Sequence, residues 1–275
     1  MHTRLNTPQT WRRDFAESHP AFEPIRRVAN DIRSEHWPTL EELNTLLNEH
    51  CTFALPPGIR LRAVSQSARL KARDYDLEIN EHGRLPTRTE NWHDLLNLLC
   101  WCRFPETRRW INQAQVKEAC EAPGRDRTAK MHLLTQLDEC GVAVVSDKPA
   151  LLQALRDFEW TELFWRRRDA LEDHLKVLIF GHGLYEQLLE PHLGTTGRAL
   201  LIQAPPAQLE NLDATAVDQL IVDHLSGPLS PTRPRDLSPF PILGLPGWYP
   251  QNCHEGFFQQ HPEYFRPGRR RRSAS

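Results

Sequence analysis

The stretch Asn91-Trp92-His93-Asp94-Leu95-Leu96-Asn97-Leu98-Leu99-Cys100-Trp101-Cys102-Arg103-Phe104 is the segment on which the fold turns. Its Trp92, Leu95, Leu96, Leu98, Leu99, Trp101 and Phe104 leave almost no polar face, which predicts a central helix buried on most sides. Asn91 stands where an N-cap belongs. Asp94, then the third helical residue, sets a carboxylate against the free amides and the positive end of the helix dipole. Pro105 ends the helix, and a more polar one from Glu106 to about Cys120 is expected to return over it.

Working towards the N-terminus, Leu40, Leu43, Leu46 and Leu47 follow the start signal Trp37-Pro38-Thr39 and predict a helix to about Glu49, stopped by Pro56-Pro57-Gly58. Alternation over Ile59 to Val64 and again at Tyr75, Leu77 and Ile79 suggests two strands closed at His82-Gly83. Towards the C-terminus, Leu133 to Leu137 and Val142 to Val145 read as a hairpin, with Asp138 and Gly141 at the first and fourth positions of a type I turn. Asp147 is positioned to cap a helix from Pro149 to Phe158. Val177 to Phe180 reads as a strand feeding a helix from Leu184 to Glu190, although one helix from Ala170 to Glu190 fits the same spacing. A strand at Arg198 to Ile202 and an amphipathic helix at Asp213 to Leu225 follow.

From Ser226 to Pro250 the chain carries Pro228, Pro231, Pro234, Pro239, Pro241, Pro246 and Pro250, a density that predicts an extended surface wrap pinned by Trp248 and Tyr249. The expected fold is therefore α+β, mainly helical, with a buried central helix, several short strands and a Pro-rich C-terminal wrap. Residues 1–265 are expected to form a single globular domain, and 266–275 a disordered Arg-rich tail. There is no internal repeat.

Of the 275 residues 39% are apolar and 25% charged, enough apolar surface for a sizeable core. The net charge of -2 hides an asymmetry, because Arg266, Arg269, Arg270, Arg271 and Arg272 all lie in the last ten residues; without them 29 basic side chains face 36 acidic ones. Such a body repels phosphate backbones, so nucleic acid is expected only through the tail. Cys51, Cys100, Cys102, Cys120, Cys140 and Cys253 lack zinc-knuckle spacing and read as buried thiols. No run of eighteen apolar residues suggests a membrane span, and the N-terminus lacks the apolar core of a signal peptide, so the expected location is the cytoplasm.

Four constellations of polar residues stand out. The first is Arg88 with His93-Asp94 at the entrance of the central helix. There Asp94 has a sufficient capping role, while His93 and the carboxylate also suit a general base or metal ligand. The second is Gly181-His182-Gly183 with Glu186, where a helix including His182 would put both side chains on one face. His93, Asp94 and His182 are the candidate catalytic residues, and His93, His182 and Glu186 the candidate ligands of a divalent metal ion. The third, Asp138-Glu139, is explained by the turn, and the fourth, Trp165-Arg166-Arg167-Arg168-Asp169, by a solvated helix face.

No phosphate-binding Gly-rich loop, nucleophile elbow, dinucleotide fingerprint or His-Glu-x-x-His motif occurs. A metal-assisted hydrolase fits the histidine pair, in which the ion would lower the pKa of a bound water. The rival is a non-catalytic intracellular interaction protein, docking a protein partner through Pro239 to Pro250 and the Arg tail.

Four stretches also carry a resemblance: Gly83 to Asn97 around Pro-Thr-Arg-x-x-Asn-Trp-His-Asp, Leu134-Thr135-Gln136-Leu137-Asp138-Glu139-Cys140-Gly141, Val177 to Leu189 around Phe-Gly-His, and Arg235 to Trp248. In these the chain resembles the bacterial proteins catalogued as domain of unknown function number 3025. The resemblance implies a bacterial source and one domain of about this length, and it carries over no activity, cofactor or catalytic residue.

Overall fold

A computed structural model describes residues 9–51, 58–66, 70–121 and 128–268. The chain runs through α1 (Glu23–Asn30), α2 (Leu40–His50), β1 (Arg62–Ser65), α3 (Ala72–His82), β2 (Arg84–Thr87), α4 (Trp92–Arg103), α5 (Pro105–Glu121) and α6 (Ala129–Cys140). It continues through β3 (Gly141–Ser146), α7 (Pro149–Arg156), a π-helical turn (Glu162–Arg166), α8 (Arg168–His174), β4 (Leu175–Ile179), α9 (His182–Leu188) and β5 (Thr196–Gln203). The last elements are α10 (Pro206–Glu210), α11 (Ala214–Ser226), β6 (Ser238–Pro241) and α12 (Gly256–Gln260). With 55% of the described residues helical and 13% in strands, the fold is α+β and mainly helical.

Helix α4 forms as its sequence dictates. Asn91 Oδ1 accepts the Asp94 amide at 3.1 Å, and Leu96, Leu98, Leu99 and Cys100 are fully buried. Thr39 and Glu42 close a reciprocal capping box at the start of α2.

The main sheet has the order β4-β3-β5-β6, with β3 antiparallel to β4 and parallel to β5, and β6 antiparallel on the far edge. Every residue of β3 is buried. Val142 and Val144 join a core with α1, α4 and α9, while Ala143 and Val145 join a second core with α5, α6 and α11. Burial on both faces is why this strand reads as a continuous apolar run, with no polar alternation. Each fully buried valine contributes on the order of 1.5 kcal/mol by apolar burial.

The expected hairpin is absent. Leu133, Leu134 and Leu137 lie on the buried side of α6, Thr128 caps that helix through the Met131 amide, and β3 begins immediately after it at Gly141. Asp138 and Glu139 therefore occupy the last helical turn. Tyr75, Leu77 and Ile79 likewise belong to a helix, α3, which ends at Gly83 with φ 61°. Glycine is required there, since a Cβ would lie 2.5 Å from Ile59 Cγ2 and 2.7 Å from the Arg60 carbonyl. Strand β1 pairs instead with β2, in parallel.

Asp147 does not cap α7; it faces His174 Nδ1 at 3.1 Å. The strand-then-helix reading around His182 is observed, as β4 followed by α9. The wrap does form a ladder, because β6 is an edge strand, where proline is tolerated. Phe240, Ile242 and Leu243 are fully buried. His19 Nε2 donates to the Trp248 carbonyl at 2.7 Å and pins the wrap.

Cys51, Cys100 and Cys102 are buried, whereas Cys120 and Cys253 are exposed. The arginines after Trp165 are engaged: Arg166 with Glu255 at 3.1 Å, Arg167 with Glu162 at 2.8 Å, and Arg168 stacked on Trp165. Pro56-Pro57 and the run Arg269 to Arg272 lie outside the described residues.

Candidate functional site

Three helix ends converge on one point. The first turn of α4 carries His93, α9 begins with His182, and the last turn of α6 carries Glu139. His93 Nε2 and His182 Nε2 are 3.0 Å apart, with the rings at 72° and their centroids 4.5 Å apart. Glu139 Oε2 lies 3.8 Å from His182 Nε2, and the three potential ligand atoms lie within 4.8 Å of one another.

The far side of each ring fixes the chemistry of the near side. His93 Nδ1 stands 2.9 Å from Glu186 Oε2. A carboxylate only accepts, so Nδ1 carries a proton, and in the neutral ring Nε2 presents a lone pair. His182 Nδ1 is buried against the main-chain carbonyl of Asp138 without a well-formed hydrogen bond. A proton held on that side again leaves Nε2 as the acceptor. At 3.0 Å the two Nε2 atoms must hold a proton or a cation between them, with the Glu139 carboxylate beside them.

The electrostatics follow from burial and neighbours. Burial opposes charge on His93, but the Glu186 hydrogen bond and the charges of Glu139, Glu186 and Asp94 outweigh it and raise its pKa. His182 is held well below the usual histidine value by burial, then by His93 and Arg108. Glu139 is pushed up by burial and by Asp138, against the pull of His93 and Arg108. His182 is 4% exposed and Glu139 39%, so the cluster is closed beneath His182 and open beside Glu139.

The floor of the site is a buried polar network. Arg108 on α5 pairs with Asp138 and donates to Asn97 Oδ1 at 2.5 Å, and Asn97 donates to the Tyr75 hydroxyl at 2.7 Å. This ties α3, α4, α5 and the end of α6 together beneath the two histidines.

Of the residues singled out from the sequence, His93 and His182 are brought together across 89 positions. Glu186 is not in a ligand position: it binds His93 Nδ1, on the opposite side of the ring from the cluster. Asp94 does not join the cluster either. Its oxygens accept the Arg88 amide at 2.7 Å and both sides of the Arg88 guanidinium fork, at 2.9 and 2.7 Å, so it holds the entry loop onto α4. Its capping partner is thus the Arg88 amide. Glu139, assigned from the sequence to a turn, supplies the third group. Helical spacing of Leu133, Leu134 and Leu137 was the signal that could have placed it at a helix end.

The model of a family described as protein of unknown function, DUF3025, matches residues 61–269, about three quarters of the chain. The chain belongs to the DUF3025 family. No curated protein and no solved structure matches the chain. The DUF3025 match takes in His93, Glu139, His182 and Glu186 together with the Arg108 network and the whole main sheet, while α1 and α2 lie before it.

Chemically, two imidazoles and one carboxylate with an open side are the ligand set of a catalytic zinc site or of a related divalent transition metal. A tetrahedral zinc ion with bonds of about 2.0–2.1 Å sets neighbouring ligand atoms roughly 3.3 Å apart. The separations of 3.0 and 3.8 Å straddle that spacing.

Proposed function

We propose that the chain is a metal-assisted hydrolase whose His93, His182 and Glu139 hold one divalent transition-metal ion. The observation that supports this reading is the pair of Nε2 atoms 3.0 Å apart with Glu139 beside them, the His93 ring backed by Glu186 on its Nδ1 side. Outer acceptors of this kind fix the tautomer and orientation of metal-binding histidines. The bound ion would supply Lewis acidity and lower the pKa of a coordinated water towards neutrality. The protein's part is to orient His93 through Glu186, to keep the His182 side dry, and to leave the Glu139 side open to substrate.

Of the two segments behind the interaction-protein reading, the Pro-rich one buries Phe240, Ile242 and Leu243 and serves as an edge of the sheet, and the Arg269 to Arg272 run lies outside the described residues. Among the described residues no helix is long and apolar enough to cross a membrane.

Elemental analysis of the purified, untagged protein is the test. One equivalent of a transition metal in the wild type, lost in His93→Ala and His182→Ala, is the expected result, with chelator-sensitive turnover in a panel of chromogenic carboxylic and phosphoric esters. A metal-free wild type that takes up no added zinc, cobalt or manganese would sink the metal centre. Full metal with no turnover in any ester would sink the hydrolase.

A further inference from the structure

Glu139 differs from its two neighbours in the cluster. His93 is anchored by Glu186 and His182 by burial, whereas among the described residues no hydrogen bond holds the Glu139 carboxylate. What it rests on is Gly183, the second residue of α9. The backbone of Gly183 has no positive φ, so its conformation does not call for glycine. The space does. A Cβ on Gly183 would overlap Glu139 Oε2, with Glu139 Cδ at 3.5 Å and the Glu139 carbonyl oxygen at 3.2 Å. That Oε2 is the same atom that stands 3.8 Å from His182 Nε2.

We propose that Gly183 is a positioning residue, its bare Cα forming the seat that lets Glu139 Oε2 stand as third metal ligand beside the two imidazoles; this rests on the metal centre proposed above. A methyl group in the seat displaces a flexible carboxylate and asks the Glu139 carbonyl to give by a few tenths of an ångström. With the imidazoles on one side, the carboxylate moves outward into solvent, beyond the 2.0–2.2 Å or so that a metal–carboxylate bond requires. Alanine is also the better helix former, so the substitution favours α9 itself.

The test is a double-mutant cycle on zinc affinity, measured by competition with a chromogenic chelator in the wild type, Gly183→Ala, Glu139→Ala and the double variant. Gly183→Ala is expected to bind zinc about 10-fold or more weakly, within the range seen when groups supporting a ligand are altered. The metal-free variant should melt no lower than the metal-free wild type. In the Glu139→Ala background the same glycine substitution should change nothing, because no carboxylate remains to be displaced. Wild-type affinity in Gly183→Ala, an equal loss in both backgrounds, or a loss that tracks a lower melting temperature would each overturn the seat. If the wild type itself takes up no zinc, the metal centre falls and the seat with it. If the wild type binds one equivalent and Gly183→Ala binds it equally well, the seat alone fails.

Discussion

Glu186 illustrates how much one side chain can decide without touching the reacting centre. Its carboxylate accepts from His93 Nδ1 at 2.9 Å and so selects the tautomer that turns the Nε2 lone pair towards His182 and Glu139. Glu186→Gln keeps an acceptor oxygen but removes the charge that makes the ring a stronger ligand. Zinc affinity should fall by about 10-fold, towards the lower end of the range for such outer partners, with stoichiometry still at one. Competition titration would show it; complete loss of metal would mean that Glu186 is itself a ligand. At this scale the sequence was legible where the interaction is local: Asn91 caps α4, and Arg88 pairs with Asp94, within a few positions of one another. It was not legible for Glu139, whose partners lie on α4 and α9.

Among the elements, helices were recovered where caps and apolar spacing agreed, as in α2 and α4, and lost where a short apolar run fitted either period. Tyr75, Leu77 and Ile79 alternate, yet only Ile79 is fully buried, so the pattern belongs to a half-exposed helix whose polar positions happen to fall between. Leu133 to Leu137 and Val142 to Val145 fit a hairpin around Asp138 to Gly141, yet the first run is helical and the boundary between helix and strand falls at Gly141 itself. The wrap holds a sharper element than its composition suggested. Asp236 accepts the amides of Thr232 and Arg233 and the Arg233 side chain, closing the turn that leads into β6. The Thr232 amide above all, then Arg233, holds its carboxyl down to about 2, against an ordinary value of 3.8. A depressed folded pKa contributes stability that is fully present above about pH 4 and is lost as pH falls from there towards 2. Asp236→Asn should therefore flatten the acid limb of the stability curve between pH 4 and 2, measured by urea melts. An unchanged limb would show that the turn is equally sound without the charge.

For the whole molecule, the site exists only because the chain crosses itself. His93, Glu139 and His182 come from three helices that no local pattern relates, and the buried links of Arg108 to Asp138 and Asn97 hold two of them, α6 and α4, together. An unfolded chain presents no such triad, so an ion bound there favours the folded state by mass action. At a free zinc concentration of about 100 times the dissociation constant the gain is about 2.7 kcal/mol. For a chain of this size that corresponds to a melting temperature higher by roughly 5–10 °C. Calorimetry with zinc and then with excess chelator should show this shift and its reversal, and the shift should vanish in His182→Ala, each protein being compared with its own metal-free curve. A zinc-induced rise that survives in His182→Ala would move the ion to some other part of the fold and leave the histidine pair a buried hydrogen bond between α4 and α9.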